Sequence, residues 1–225
     1  MKHLLLTLVL FIKDHEIPES GHPDLVYFNA PWGIKQAFNS SVSIHTIGES
    51  KYGLGSGNLI RFENELYIFT AGHVIDDALF LIAREKNGNQ IEVEVVHKDM
   101  NLDFAILKPK SPFTMTTPAE YKLKFDNLIG KPVYHCGHPS ITSYNVSRGM
   151  ITGYDGNHYV IDAMALPGSS GGVLFGKRGD IIGVVVSVGI VNTLGPPELV
   201  EEIVRVAPVD YLYLKEALGE QEGDK

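Results

Sequence analysis

Strand follows strand in this chain, with glycine, asparagine and proline at the joints, and that punctuation limits the fold more than any other property. Ser41-Val42-Ser43-Ile44-His45-Thr46-Ile47 alternates polar and apolar residues, the period of a half-buried strand, with His45 on the polar side. Gly53 to Ile60, Leu66 to Phe69, Leu79 to Ala83, Ile91 to Val96 and the apolar run after Asp103 continue the series. Asn87-Gly88, a dipeptide that favours tight hairpins, joins two of them. Beyond a stretch rich in Pro, Thr and Lys, further runs start near Pro132, Ser147, His158, Val173 and Asp180, the last of them long and β-branched as in a buried strand. Only Pro208 to Leu218 has helical spacing. With 225 residues, 44% of them hydrophobic and 20% charged, the chain can bury a core of ordinary size, so the strands belong to one large β domain or two small ones.

The formal net charge of −8, without a block of Lys or Arg, argues against nucleic acid as a partner, since that would require a basic patch or stripe. Cys136 is the only cysteine, so no intrachain disulfide can form, and it reads as a small buried hydrophobe. His135-Cys136-Gly137-His138 lacks the further Cys or His pair that a four-ligand zinc site needs, so no metal and no cofactor are expected. At the start, Met1-Lys2-His3 precedes an apolar run from Leu4 to Ile12 that is too short for a membrane span. A signal peptide, membrane contact through residues 4–12 and a leading strand stay open. The location is secreted or periplasmic in the first case and otherwise intracellular or viral; the oligomeric state is open too.

Three short motifs carry chemistry, in the order His, Asp, Ser. Thr70-Ala71-Gly72-His73 follows a strand and opens one helical turn; Asp103-Phe104-Ala105-Ile106-Leu107 places an acid at the mouth of an apolar strand; Gly168-Ser169-Ser170-Gly171-Gly172 presents a hydroxyl among glycines. A serine hydroxyl is a weak nucleophile at neutral pH. It needs a His to take its proton, a carboxylate to hold that His in one tautomer, and backbone N–H groups to meet the oxyanion. Asp76 and Asp77 rival Asp103 but sit within one turn of His73, where they cap or face solvent, and Ser169 is the alternative nucleophile.

These motifs resemble the T-A-x-H, D-x-A-x-L and G-x-S-G-G of trypsin-like and chymotrypsin-like serine proteases, and the resemblance runs from about residue 40 to 215. Gly53-Leu54-Gly55-Ser56-Gly57-Asn58-Leu59-Ile60 is similar to the family's hairpin before the catalytic His, and Gly137-His138-Pro139 to its G-x-P strand end. The absence of disulfides is like that of bacterial high-temperature-requirement proteases and viral chymotrypsin-like proteases. The resemblance implies an all-β fold of two six-stranded Greek-key barrels with a short C-terminal helix. The domains would be a targeting or lead-in segment at 1–40, a first barrel at 41–110, a linker at 111–128, a second barrel with the helix at 129–219, and a tail at 220–225.

The same resemblance implies a serine endopeptidase acting on polypeptides through an acyl-enzyme, with His73, Asp103 and Ser170 as triad and the amides of Gly168 and Ser170 as oxyanion hole. The position six before the nucleophile, Met164, would be the floor of the S1 pocket, with walls from Val186, Ser187, Val188 and Gly189. No carboxylate waits there for a basic side chain, and Met and Val favour burial of apolar area, so an apolar or small P1 residue is expected. The alternatives are a catalytically silent peptide-binding module on the same scaffold, or an esterase or acyl transferase using the same triad.

Overall fold

Short β-prone runs interrupted by turn residues can bury both faces only by curling into closed sheets, and this chain does so twice. The computed structural model describes residues 30–49, 52–122, 128–140, 142–191 and 198–219, with side chains for all of these except 188–191 and 198–202. The expected targeting stretch at 1–20 and the 220–225 tail lie outside the described residues, as do the side chains at 188 and 189.

The first barrel comprises β1 (Ser41–Ile47), β2 (Tyr52–Phe62), β3 (Glu65–Ala71), β4 (Phe80–Arg84), β5 (Gln90–Asp99) and β6 (Phe104–Pro109). They run β1-β4-β5-β6-β3-β2 around the sheet, and antiparallel pairing of β1 with β2 closes it. The second comprises β8 (Pro132–Gly137), β9 (Asn145–Asp155), β10 (His158–Asp162), β11 (Val173–Gly176), β12 (Ile181–Val191) and β13 (Glu198–Pro208), closed in the order β10-β13-β12-β11-β8-β9. Between them the short β7 (Ala119–Glu120) adds a parallel edge to β2, with Ile60 opposite Ala119.

Period-two burial sorts the apolar residues into three places. Ile44, Leu59, Ile68, Ile91 and Leu107 fill the first barrel, while Val133, Ile151, Ile161, Leu174 and Val206 fill the second. Their strand neighbours, among them Phe69, Phe104, Val173, Phe175 and Val184, form a third core between the barrels. Burial of that shared apolar surface holds one barrel on the other.

Two helices seal the seam. α1 (Trp32–Ser40) lies where only an irregular lead-in is expected from the prolines and glycines of residues 18–40. Packing against β8 and β11 makes it a helix: the Gly33 amide donates to the Lys177 carbonyl at 3.2 Å, and a Cβ on Gly33 would stand 2.2 Å from the Gly176 carbonyl oxygen. α2 (Tyr211–Ala217) starts three residues beyond the proline from which helical spacing begins, because Asp210 is its cap and accepts the Tyr213 amide at 2.8 Å.

Candidate active site

His73 lies in a short 3-10 turn, Gly72–Ile75, directly after β3, and Asp103 ends the tight turn that leads into β6. β3 and β6 are antiparallel neighbours, with Ala71 opposite Phe104, so the two side chains emerge at the same end of the sheet. Asp103 grips His73 twice. Its Oδ1 accepts the His73 backbone amide at 2.7 Å and its Oδ2 meets the ring Nδ1 at 2.7 Å. A carboxylate only accepts, so Nδ1 carries the proton and Nε2 is left with its lone pair for a substrate or nucleophile. Gly72 leaves room for this grip, since a Cβ there would come within 3.2 Å of Asp103 Oδ1.

Asp103 itself has φ +55, a left-handed conformation that is costly for a residue with a side chain and needs support from its surroundings. The turn supplies it. Asp99 Oδ1 accepts the amides of Asn101 and Leu102 at 2.8 and 3.2 Å. The rival acid Asp76 is occupied by Lys98 at 2.5 Å, a pairing that lowers its pKa, and Asp77 is exposed.

Ser170 lies on the loop between β10 and β11, and that loop is fixed largely by the other barrel. The Ser56 amide of β2 donates to the Ser170 carbonyl at 2.7 Å, and the Ser56 hydroxyl donates to the Gly168 carbonyl at 2.7 Å while accepting the His138 amide at 2.8 Å. Thr70, three residues before His73, donates its hydroxyl to the Ser56 carbonyl at 2.7 Å. Gly171 nests on this pair: its φ is +92, and a Cβ would stand 2.0 Å from Ser56 O and 2.3 Å from Thr70 Oγ1. The loop that carries Ser170 is therefore packed on the segment that delivers His73.

Within the loop, the Ser169 amide donates to the Leu166 carbonyl at 2.8 Å and the Ser169 hydroxyl accepts the Leu166 amide at 3.1 Å. Ser169 is thus buried and tied into the turn, whereas Ser170 is partly exposed. Gly168 turns back at φ +101 against the His138 carbonyl. Among the described residues, the amides of Gly168 and Ser170 donate to no other group, which leaves both N–H dipoles open to an acceptor from outside the chain.

Met164, the expected S1 floor, is exposed to solvent. Residues 163–165 alternate, with Ala163 and Ala165 buried in the second barrel and Met164 turned outward at 58% exposure. Val186, where the β12 to β13 register shifts, is buried, and Ser187 is half-buried. Sequence reasoning set aside His135, and the structure puts it behind this segment. Its Nε2 donates to the Met164 carbonyl at 3.2 Å, and burial, outweighing that bond, lowers its pKa to about 4, so the ring is neutral. Only the strand alternation of β8 could have signalled that this His points inward.

Cys136 is fully buried, and burial pushes its thiol pKa up to about 12, which leaves it unreactive at neutral pH. Among the described residues no group of three or more His, Cys, Asp or Glu could hold a metal ion.

Comparison with known proteins adds to this geometry. A family model described as a trypsin-like peptidase domain matches residues 55–184. A probable periplasmic serine protease do/HhoA-like of Haemophilus influenzae is 31% identical over 154 residues, covering 61% of this chain and 32% of that protein. A probable periplasmic serine endoprotease DegP-like of Pseudomonas putida is 30% identical over 141 residues, covering 58% and 28%. The chain spans about a third of the length of these relatives. Among solved structures, the serine endoprotease from Yersinia pestis aligns with TM-score 0.63 at 25% identity, covering 91% of this chain and 67% of that one. The HtrA-type protease AlgW aligns with TM-score 0.64 at 24% identity, covering 83% and 60%.

Proposed function

Because this chain belongs to the trypsin-like peptidase domain family, we propose that it is a serine endopeptidase whose triad is His73, Asp103 and Ser170. The observation that carries the reading is the double grip of Asp103 on His73, which fixes the imidazole tautomer in the chain segment against which the Ser170 loop packs. His73 Nε2 takes the proton from Ser170 Oγ as the oxygen attacks the substrate carbonyl carbon. The negative charge that develops on the carbonyl oxygen is met by the free amides of Gly168 and Ser170, the larger share of the rate enhancement in sites of this kind. His73 then gives its proton to the leaving amine as the C–N bond breaks, and water, deprotonated in turn by His73, hydrolyses the acyl-enzyme.

On this reading residues 41–110 and 129–219 form the two catalytic barrels and 111–128 link them. An apolar or small P1 side chain lies over Met164, between it and the β12 segment from Val186 to Gly189. The relatives from Haemophilus and Pseudomonas are named as periplasmic proteins, and a secreted or periplasmic setting is proposed here by analogy. A fluorophosphonate probe tests the chemistry: labelling that is abolished in Ser170→Ala supports it, and an inert wild-type protein refutes it in favour of a silent scaffold.

A further inference from the structure

A concave site lies against the His138–Ser140 stretch on which Gly168 packs. It is an open cavity of about 250 Å³ whose lining includes Leu54, Arg84, Glu85, Lys86, His138 and Tyr144, with His45, Pro139 and Ser140 beside them. Its link to the reacting centre is short. Gly168, whose amide is one of the two free donors, packs against the His138 carbonyl, Pro139 Cα and the Ser140 amide. Leu54 stands two residues before Ser56, which hydrogen-bonds the Ser170 carbonyl. On the endopeptidase reading, a substrate with its acyl side over Met164 and Val186 would carry its leaving-group side toward Leu54 and Pro139, at the mouth of this cavity.

The cavity has cationic walls. Arg84 and Lys86 are both exposed, and the Lys86 ammonium is held over the Phe38 ring at 5.4 Å from its centroid. Glu85, between them in sequence, also lines the cavity and its charge acts on Tyr144, but its oxygens accept the amides of Thr114, Met115 and Thr116, so among the described lining residues the exposed charges are those of Arg84 and Lys86. Both imidazoles are uncharged: burial and then the Arg84 charge lower the pKa of His45, and burial, reinforced by His45, lowers that of His138 to about 4. Two buried polar atoms on lining residues, His138 Nδ1 and the Tyr144 hydroxyl, have no hydrogen-bond partner, a rare condition in an interior that no ligand enters. The Ser41 hydroxyl donates to the Cys136 carbonyl and thus accepts from His138 Nε2, so Nδ1 carries a lone pair that needs a donor. The Tyr144 hydroxyl can donate. A peptide segment with an acidic side chain supplies both kinds of partner, a carboxylate for Tyr144, Arg84 and Lys86 and a backbone N–H for His138.

We propose that this cavity is a specificity subsite for an acidic side chain of the substrate on the leaving-group side of the scissile bond, read by Arg84 and Lys86. The inference rests on the endopeptidase reading. The test uses C-terminally amidated fluorogenic peptides with Glu, Gln or Lys at each of the first three positions after the cleaved bond, alongside a p-nitroanilide substrate that has no residues on that side. Wild type should prefer Glu over Gln at one of those positions by about tenfold in kcat/KM, the scale of a charge-assisted hydrogen bond. Arg84→Glu/Lys86→Glu should reverse the preference toward Lys while turning over the p-nitroanilide at the wild-type rate. Cleavage of the p-nitroanilide with no preference among the peptides overturns the subsite and leaves the peptidase standing. Acid preference that survives the double substitution, or appears only with a free C-terminal carboxylate, also overturns it. Failure to cleave any substrate overturns both.

Discussion

Tyr213, on the C-terminal helix, donates its hydroxyl proton to Asp99 Oδ2 at 3.2 Å, four residues before Asp103 in the first barrel. The Tyr213 hydroxyl oxygen in turn accepts from His97 Nε2 at 2.9 Å, and burial together with the Asp99 charge raises the pKa of the phenol so that it keeps its proton. The far end of the chain thus braces the turn that holds Asp103 in its left-handed conformation.

Replacing Tyr213 by Phe keeps the ring packed on Phe104 and His97 but removes the donor to Asp99. The protein should lose about 1 kcal/mol of stability, the ordinary worth of one hydrogen bond. kcat should fall severalfold with KM unchanged, because Asp103 loses its support while the substrate surfaces are intact. Steady-state kinetics beside urea denaturation separate the two effects; a rate loss that only tracks the unfolded fraction would contradict the positioning role.

Ser170→Ala and His73→Ala should each lower kcat by about 10⁴-fold or more, and the double variant should lose little beyond either single one, since the groups act as a unit. Active-site titration and single-turnover kinetics measure this, and near-multiplicative losses would show that the two side chains do not cooperate.

Gly171→Ala probes the seam. Its φ of +92 and the 2.0 Å approach of a new Cβ to the Ser56 carbonyl oxygen force β2 and the Ser170 loop apart. Stability should drop by more than about 1 kcal/mol and activity should disappear. Probe labelling at wild-type rate in the folded variant would refute the dependence.

Glu85 sets an acid limit. Its burial opposes ionisation, but hydrogen bonds from Asn89, Met115 and Thr114 outweigh that and lower its pKa from 4.5 to about 2. A carboxyl group whose pKa is lower folded than unfolded stabilises the fold above its unfolded value and loses that contribution as pH falls through its folded one. Stability should therefore decline between pH 4.5 and about pH 2 in wild type. Glu85→Gln should be less stable at pH 7 and flatter across that window. Urea midpoints against pH check it, and parallel curves for the two proteins would contradict the assignment.

What was legible in the sequence is what local chemistry dictates. The strands showed in period-two alternation, and His73, Asp103 and Ser170 stood out because each sits in a short motif whose neighbours serve the same residue. Features set by distant partners did not show. α1 is helical because Gly33 fits against Gly176, a neighbour far along the chain. Met164 faces outward because Ala163 and Ala165 fill the barrel, a choice of face that counting from Ser170 cannot make. Glu85 looks like a surface charge between Arg84 and Lys86 until the amides of 114–116 fold over it.

Ser56 belongs to the first barrel, yet it holds the Ser170 loop of the second through its amide and hydroxyl. Asn58, one turn of the pleat further on, likewise takes the Val173 amide at 2.8 Å. A partly folded chain with only one barrel formed has no such clamp, and the loop then lacks the hydrogen bonds that hold Gly168 and Ser170 in place. Because each barrel supplies part of the clamp, the Ser170 loop takes this shape only in a molecule whose two barrels are both formed and docked.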